Sequence, residues 1–186
     1  METLFDLDKS LFVFLNSLGS KPFDLLWLIV TNKISSFPLY IFLLIYLFKK
    51  TESKNFNLTI LFIALLILFT DQMSNFFKIY FERLRPCHNE DLNTYIRIVK
   101  EGCGGLYGFF SAHAANSFAI ATFFYFKLNK YSKHFKYLFI WALIVSYSRI
   151  YVGVHYPIDI IFGIFFGIFS GYVFYLFLSI INKKIK

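Results

Sequence analysis

Ser148-Arg149-Ile150-Tyr151-Val152-Gly153-Val154-His155-Tyr156-Pro157-Ile158-Asp159 joins two long apolar runs, 136–153 and 156–181. An Arg, a His and an Asp therefore sit where two hydrophobic segments meet. A run of ~20 apolar residues is long enough to span a bilayer. Ionisable groups at a membrane boundary are costly and mark functional positions. The stretch reads as a polar turn between two crossing helices. Pro157 suits the first turn of the second helix, where its missing N–H costs nothing.

Composition agrees. The 186 residues are 58% hydrophobic and 23% aromatic, with a mean hydropathy of +0.59, far from a soluble average. The reading is an all-α polytopic transmembrane helix bundle forming one domain over 1–186. The N-terminus has neither a basic leader nor a small-residue cleavage site, so no cleaved signal peptide is expected. A net charge of +8 could suggest nucleic acid. The lysines, however, gather in short loops, as cytoplasmic loops of membrane proteins do, and no nucleic-acid partner is expected.

Upstream, residues 4–18 carry Leu4, Leu7, Leu11, Phe12, Phe14, Leu15 and Leu18 at helical spacing beside Asp6, Asp8 and Lys9. This is an interfacial amphipathic helix or an ordinary packing helix. Residues 23–48, interrupted by Asn32-Lys33 and Pro38, form one kinked crossing or a short dipping segment followed by a crossing. A further crossing covers 56–81, and its Asp71, Ser74, Asn75 and Lys78 fall on one helical stripe. That stripe should face the bundle or a wet cavity; Asp71 could simply satisfy a polar contact there. Crossings at 109–127, 136–153 and 156–181 complete five, with six as the alternative. Gly163, Gly167 and Gly171, spaced by four, are expected to dock the last helix closely, with Asp159 continuing their stripe.

The basic segments 49–55 and 127–136 and the tail Lys183-Lys184-Ile185-Lys186 assign the cytoplasmic side. The long loop 82–108 and the turn 153–157 then face outward. All four arginines, Arg83, Arg85, Arg97 and Arg149, fall on that outer side. A guanidinium fork suits bidentate phosphate contacts, so an anionic ligand is the expected reason for all four. Cys87 and Cys103 share the outer loop. A disulfide between them would close roughly 17 residues, stabilising by ~3 kcal/mol in the chain-entropy model, the alternative being two free thiols.

Three stretches match the motifs of a known family. Lys78 precedes Arg85-Pro86 by six intervening residues, Phe110-Ser111-Ala112-His113 partly matches Pro-Ser-Gly-His, and Ser148-Arg149 leads by five residues to His155 and three more to Asp159. The chain resembles the type 2 phosphatidic acid phosphatase (PAP2) family, whose superfamily also holds vanadium haloperoxidases. The motif core spans 78–159. The run from Gly104 to Phe109, leading into His113-Ala114-Ala115-Asn116-Ser117-Phe118, resembles the lipid A 4'-phosphatases of the Bacteroides type within it.

The resemblance implies an integral-membrane lipid phosphatase at the outer face of a bacterial inner membrane. It implies that His155 attacks phosphorus to give a phosphohistidine, oriented by Asp159, and that His113 serves as acid and then base. Lys78, Arg85 and Arg149 would neutralise the phosphoryl oxygens. Ser111 can cap the helix it precedes, and amides around Ser111, Ala112 and His113 would add donors. Phe110 and Ala112 replace the family's Pro and Gly, which alters pocket shape.

No cofactor is expected. A zinc reading of His113, His155 and Asp159 fails on charge, because three nearby cations would repel a metal. Lipid A phosphate is the favoured substrate and undecaprenyl diphosphate the alternative, with phosphatidic acid and phosphatidylglycerophosphate behind them. A non-catalytic lipid-binding or transport protein is a second class. A peroxidase is a third, which the apolar chain disfavours. His88 and His134 match no motif and read as surface residues. Sequence does not specify the oligomeric state.

Overall fold

A computed structural model describes residues 2–92 and 94–185, so Met1 and the final Lys186 of the basic tail lie outside it. The described residues form seven α-helices, with short 3-10 turns between them: α1 (Glu2–Ser17), α2 (Asp24–Thr31), α3 (Phe37–Lys50), α4 (Ser53–Phe81), α5 (Ala112–Leu128), α6 (Leu138–Tyr151) and α7 (Pro157–Ile185). Among the described residues the sole β feature is one isolated bridge, Leu84 to Tyr107. The helices α4 and α7 are long and apolar enough to cross a membrane, and α1 with the segment Lys21–Thr31 forms a pair bent by 85° that would count as a third span.

The helix α5 is the centre of the bundle. It buries eleven of its residues from Ala114 to Leu128 and packs on α4, α6 and α7. Small residues let the α5 and α7 backbones touch. A methyl added at Gly163 would sit 2.8 Å from the Ser111 carbonyl oxygen, and methyls at Gly167 and Gly171 would strike the Ala115 and Ala119 carbonyls. The expected docking of α7 through this stripe is what the structure shows. Gly167→Val should therefore destabilise by about 1–3 kcal/mol, the usual cost of overpacking. A thermal unfolding midpoint in detergent equal to that of the parent would contradict it.

The segment 23–48 is two helices, α2 and α3, joined through a short 3-10 turn at Lys33–Ser36. It breaks at Asn32, whose side chain accepts from the Ile34 N–H at 3.0 Å, and Pro38 lies in the first turn of α3, where it fits without kinking a helix. The helix α1 turns two of its polar residues inward. Asp8, Phe12 and Asn16 are buried, while Leu4, Leu7, Leu11, Phe14 and Leu18 are exposed, as are Asp6, Ser10 and Ser17. Exposed apolar side chains suit lipid, and the two buried polar groups need partners inside. Asn16 donates to the Ile150 and Tyr151 carbonyls at 3.0 Å each, filling acceptors that the end of α6 leaves open. On the α4 stripe Ser74 is buried, but Asn75 is exposed rather than inward.

The bundle has two distinct ends. Tyr131 donates its hydroxyl to the Lys50 carbonyl at 2.9 Å, which brings the basic loops 49–55 and 127–136 together. The 82–111 segment lies at the opposite end. It is fastened by the Leu84–Tyr107 bridge, by Gly108 N–H donating to the Arg83 carbonyl at 2.8 Å and by a disulfide between Cys87 and Cys103.

Candidate active site

Between α6 and α7 the chain turns at Gly153, whose φ of +85° and close approach to the Arg97 carbonyl both demand glycine. It then runs extended to Pro157. The first turn of α7 carries Asp159 back toward His155. One Asp159 oxygen, Oδ2, accepts from the Tyr156 N–H at 3.0 Å and lies 3.4 Å from His155 Nδ1. A carboxylate only accepts, so His155 Nδ1 carries the proton and Nε2 keeps its lone pair. Gly108 closes over this pair; a methyl there would sit 3.1 Å from Asp159 Oδ2 and 3.3 Å from Arg85 Cγ.

Three cations surround His155. Burial first, then Arg149, Arg85 and Lys78, hold its imidazole well below the usual histidine range. The side chain is therefore a neutral base at working pH. In the unfolded chain it takes a proton near the ordinary value of about 6.5. The unfolded state thus binds more protons as the pH drops through that value, and stability present above it is lost toward the lower folded-state pKa. The expected result is a thermal midpoint that falls between pH 7 and 5 with a shallower slope in His155→Asn. Equal slopes would refute the assignment.

Each cation is aimed by its own partners. Arg85 donates Nε to the Tyr107 carbonyl at 3.1 Å and Nη1 to the Cys103 carbonyl at 3.0 Å, so the loop fixes its fork. Arg149 is 3% exposed and donates Nη1 to the Thr31 hydroxyl, while its buried Nε has no acceptor among the described residues. A buried, unpaired guanidinium N–H is costly, and an anion would satisfy it. Lys78, from the last turn of α4, reaches Asn75 Oδ1 at 3.4 Å. Ser111 is buried and caps α5, its hydroxyl accepting from the Ala114 N–H at 3.5 Å. The amides of Ala112 and His113 open that helix, where N–H groups lack intrahelical acceptors. Phe110, in the family's Pro position, is fully buried and packs on Phe77, Phe162 and Phe166.

His113 faces the site from the first turn of α5. Its Nε2 lies 3.2 Å from the Thr31 carbonyl, which can only accept; Nε2 therefore carries the proton and Nδ1 is the exchanging nitrogen. Thr31 thus positions both His113 and Arg149 from the end of α2.

The arginines divide in a way the sequence did not show. Arg83 and Arg97 are committed to carboxylates. Arg97 holds both Asp24 oxygens at 2.8 Å, and Arg83 bridges Asp159 Oδ1, at 2.7 Å, and Asp8 Oδ2. Only Arg85 and Arg149 of the four face the phosphate position. Asp8, Thr31, Arg83 and Lys33 join the site or its rim from places where no short-range pattern marks them. His134 is exposed as expected, but His88 is half-buried, with Nε2 covered and without a hydrogen-bond partner among the described residues. Cys87, His88 and Cys103 cluster, yet both sulfurs are bound in the disulfide and supply no thiolate for a metal.

Known proteins resemble this chain in sequence and fold. Residues 56–183 match the model of the PAP2 superfamily. A lipid A 4'-phosphatase of Bacteroides thetaiotaomicron is 35% identical over 190 residues, covering 100% of this chain and 83% of that protein. A lipid A 4'-phosphatase of Porphyromonas gingivalis is 34% identical over 178 residues, covering 94% and 74%. The crystal structure of Aquifex aeolicus LpxE superposes with a TM-score of 0.68 at 25% identity, covering 90% of this chain and 94% of that one. A transmembrane PAP2 type phosphatidylglycerolphosphate phosphatase from Bacillus subtilis gives 0.72 at 20% identity, covering 100% and 89%, and speaks for the fold alone. With both His-bearing motifs at one end of such a bundle, and a family match over most of its length, the chain belongs to the PAP2 superfamily.

Proposed function

We propose that this PAP2 phosphatase removes the 4'-phosphate of lipid A at the periplasmic face of a bacterial inner membrane. His155 Nε2 attacks phosphorus, a P–N bond forms and the sugar P–O bond breaks. His113 enters as the imidazolium with Nε2 held at the Thr31 carbonyl, passes its Nδ1 proton to the leaving oxygen and becomes neutral, then takes a proton from water as that water opens the phosphohistidine. Phosphate leaves and both histidines return to their starting forms. Lys78, Arg85, Arg149 and the α5 amides hold the equatorial oxygens, where charge builds in the transition state.

The observation that carries the reading is Arg149, a buried guanidinium whose Nε has no acceptor among the described residues and whose charge bears on a neutral, carboxylate-oriented His155. The curated relatives carry the substrate. The outer-face placement rests on the basic loops lying at the other end of the bundle. The test is phosphate release by detergent-purified protein from lipid A, undecaprenyl diphosphate and phosphatidic acid, with EDTA present. Release from lipid A supports the proposal. Release from undecaprenyl diphosphate alone would replace the substrate, and no release from any would overturn the catalytic reading.

A further inference from the structure

Beside His113 a cavity of about 520 Å³ opens between the α2–α3 turn, α4, α5 and α6. It is continuous with the phosphate position, because His113 and Ala112 line it. From there it follows α5 through Asn116 and Ser117 to Ile120, and α4 from Asp71 to Ala64. At 1.5 Å per residue, Asp71 lies about 10 Å and Ala64 about 20 Å along α4 from Lys78. The far part is apolar, walled by Ile67, Leu68, Trp141 and Val145. The near part is polar, and its groups are unusual for an anion-binding enzyme.

Asp71 lines the cavity and has no ion pair or hydrogen bond among the described residues. A carboxylate in this position repels phosphate, so it does not belong to phosphate binding. It favours a ligand that brings neutral N–H or O–H donors to this depth. Asn116 lines the same cavity. The Thr70 hydroxyl has a single proton and gives it to Asn116 Oδ1. That bond orients the amide and leaves its NH₂ group as the free donor. An acceptor and a donor thus line one cavity, the acceptor about two helical turns along α4 from Lys78, with an apolar slot beyond them.

We infer that this cavity takes an acyl chain of the substrate, and that Asp71 and Asn116 read the polar linkage at the head of that chain. An amide-linked chain on an amino sugar offers an N–H for Asp71 and a carbonyl for Asn116. A hydroxylated chain adds an O–H donor nearby. An ester linkage offers a carbonyl but no N–H, and a polyprenyl chain offers neither. The slot therefore selects N-acylated sugar phosphates over glycerol-based and polyprenyl lipid phosphates. A site built around a hydrogen bond discriminates strongly against analogues that lack it. The inference rests on the lipid phosphatase reading above and supplies its specificity element.

The test compares kcat/KM of the detergent-purified full chain on lipid A, dioleoyl phosphatidic acid and the soluble ester phenyl phosphate. Asp71→Ala should lower the ratio of lipid A to phosphatidic acid by about tenfold or more, with a smaller loss in Asp71→Asn. Ala64→Trp fills the slot and should lower the ratio of either lipid to phenyl phosphate by about tenfold, since remote binding energy is then lost from the transition state. Leu65→Trp, outside the cavity, should not move that ratio. Both ratios unchanged within about twofold in variants that elute as monodisperse protein would overturn the inference. Turnover of phosphatidic acid but not lipid A by the parent would overturn the linkage readout and the proposed substrate together. The Ala64→Trp ratio would still decide whether the slot binds a chain.

Discussion

His155→Gln is expected to lower lipid phosphate release by about 10⁴-fold or more, because losing a nucleophile removes the covalent path itself. Glutamine is similar in length and can still meet Asp159 Oδ2, so the fold should hold. The carboxamide cannot form the P–N bond. A second variant separates nucleophile from acid. His113→Asn should slow the lipid reaction by about 10²–10⁴-fold, the usual contribution of proton transfer. With p-nitrophenyl phosphate the leaving group needs no proton, so the same variant should form the phosphoenzyme and then stall. A burst of one nitrophenolate per protein and an acid-labile, base-stable phosphoprotein are the expected signatures. A burst that survives in His155→Gln would show that another group attacks phosphorus.

What the sequence revealed of this site follows the range of its interactions. His155 and Asp159 are legible because a helix start returns residue i+4 to residue i, and Pro157 marks that start. The long helices α4 and α7 are legible because lipid requires long apolar runs, and the Gly163, Gly167 and Gly171 stripe because close backbone packing requires small residues. The partners of Arg83 and Arg97 are not legible, since Asp8 and Asp24 approach from 75 and 73 residues away. Four arginines on one side look alike as letters, and only the fold shows which two are already neutralised. The N-terminal helix reads in sequence as either an interfacial helix or a packing helix for a related reason. Its apolar stripe does not say which face meets the bundle, and the fold leaves that stripe exposed with Asp8 and Asn16 as inward contacts. The cavity beside His113 needs four segments to enclose it, and no one of them announces it.

Arg83→Ala should be the most damaging change outside the groups that touch phosphate. Asp8 is 3% and Asp159 0% exposed. Arg83 stands between them, with its guanidinium 4.2 Å over the Tyr156 ring. Asp8 also accepts from the Ile158 N–H at 2.9 Å, so α1, the outer loop and the start of α7 are tied at one point. Removing the cation leaves two buried carboxylates facing each other, at a cost of about 3–5 kcal/mol. Arg83→Lys should not restore the parent, because one ammonium cannot present a planar fork to both acids. Arg83→Met combined with Asp8→Asn removes one of the stranded charges and should recover part of the lost stability. Activity should not follow it back. Asp159 would still lack the donor on Oδ1 that fixes its angle to His155, so kcat should stay about 10²-fold low while KM moves less than about threefold. Arg83 points at carboxylates rather than at phosphate, which is why binding and turnover should separate. A double variant with parental kcat would make Arg83 a purely structural tie. A rise in KM matching the fall in kcat/KM would place it among the groups that bind substrate.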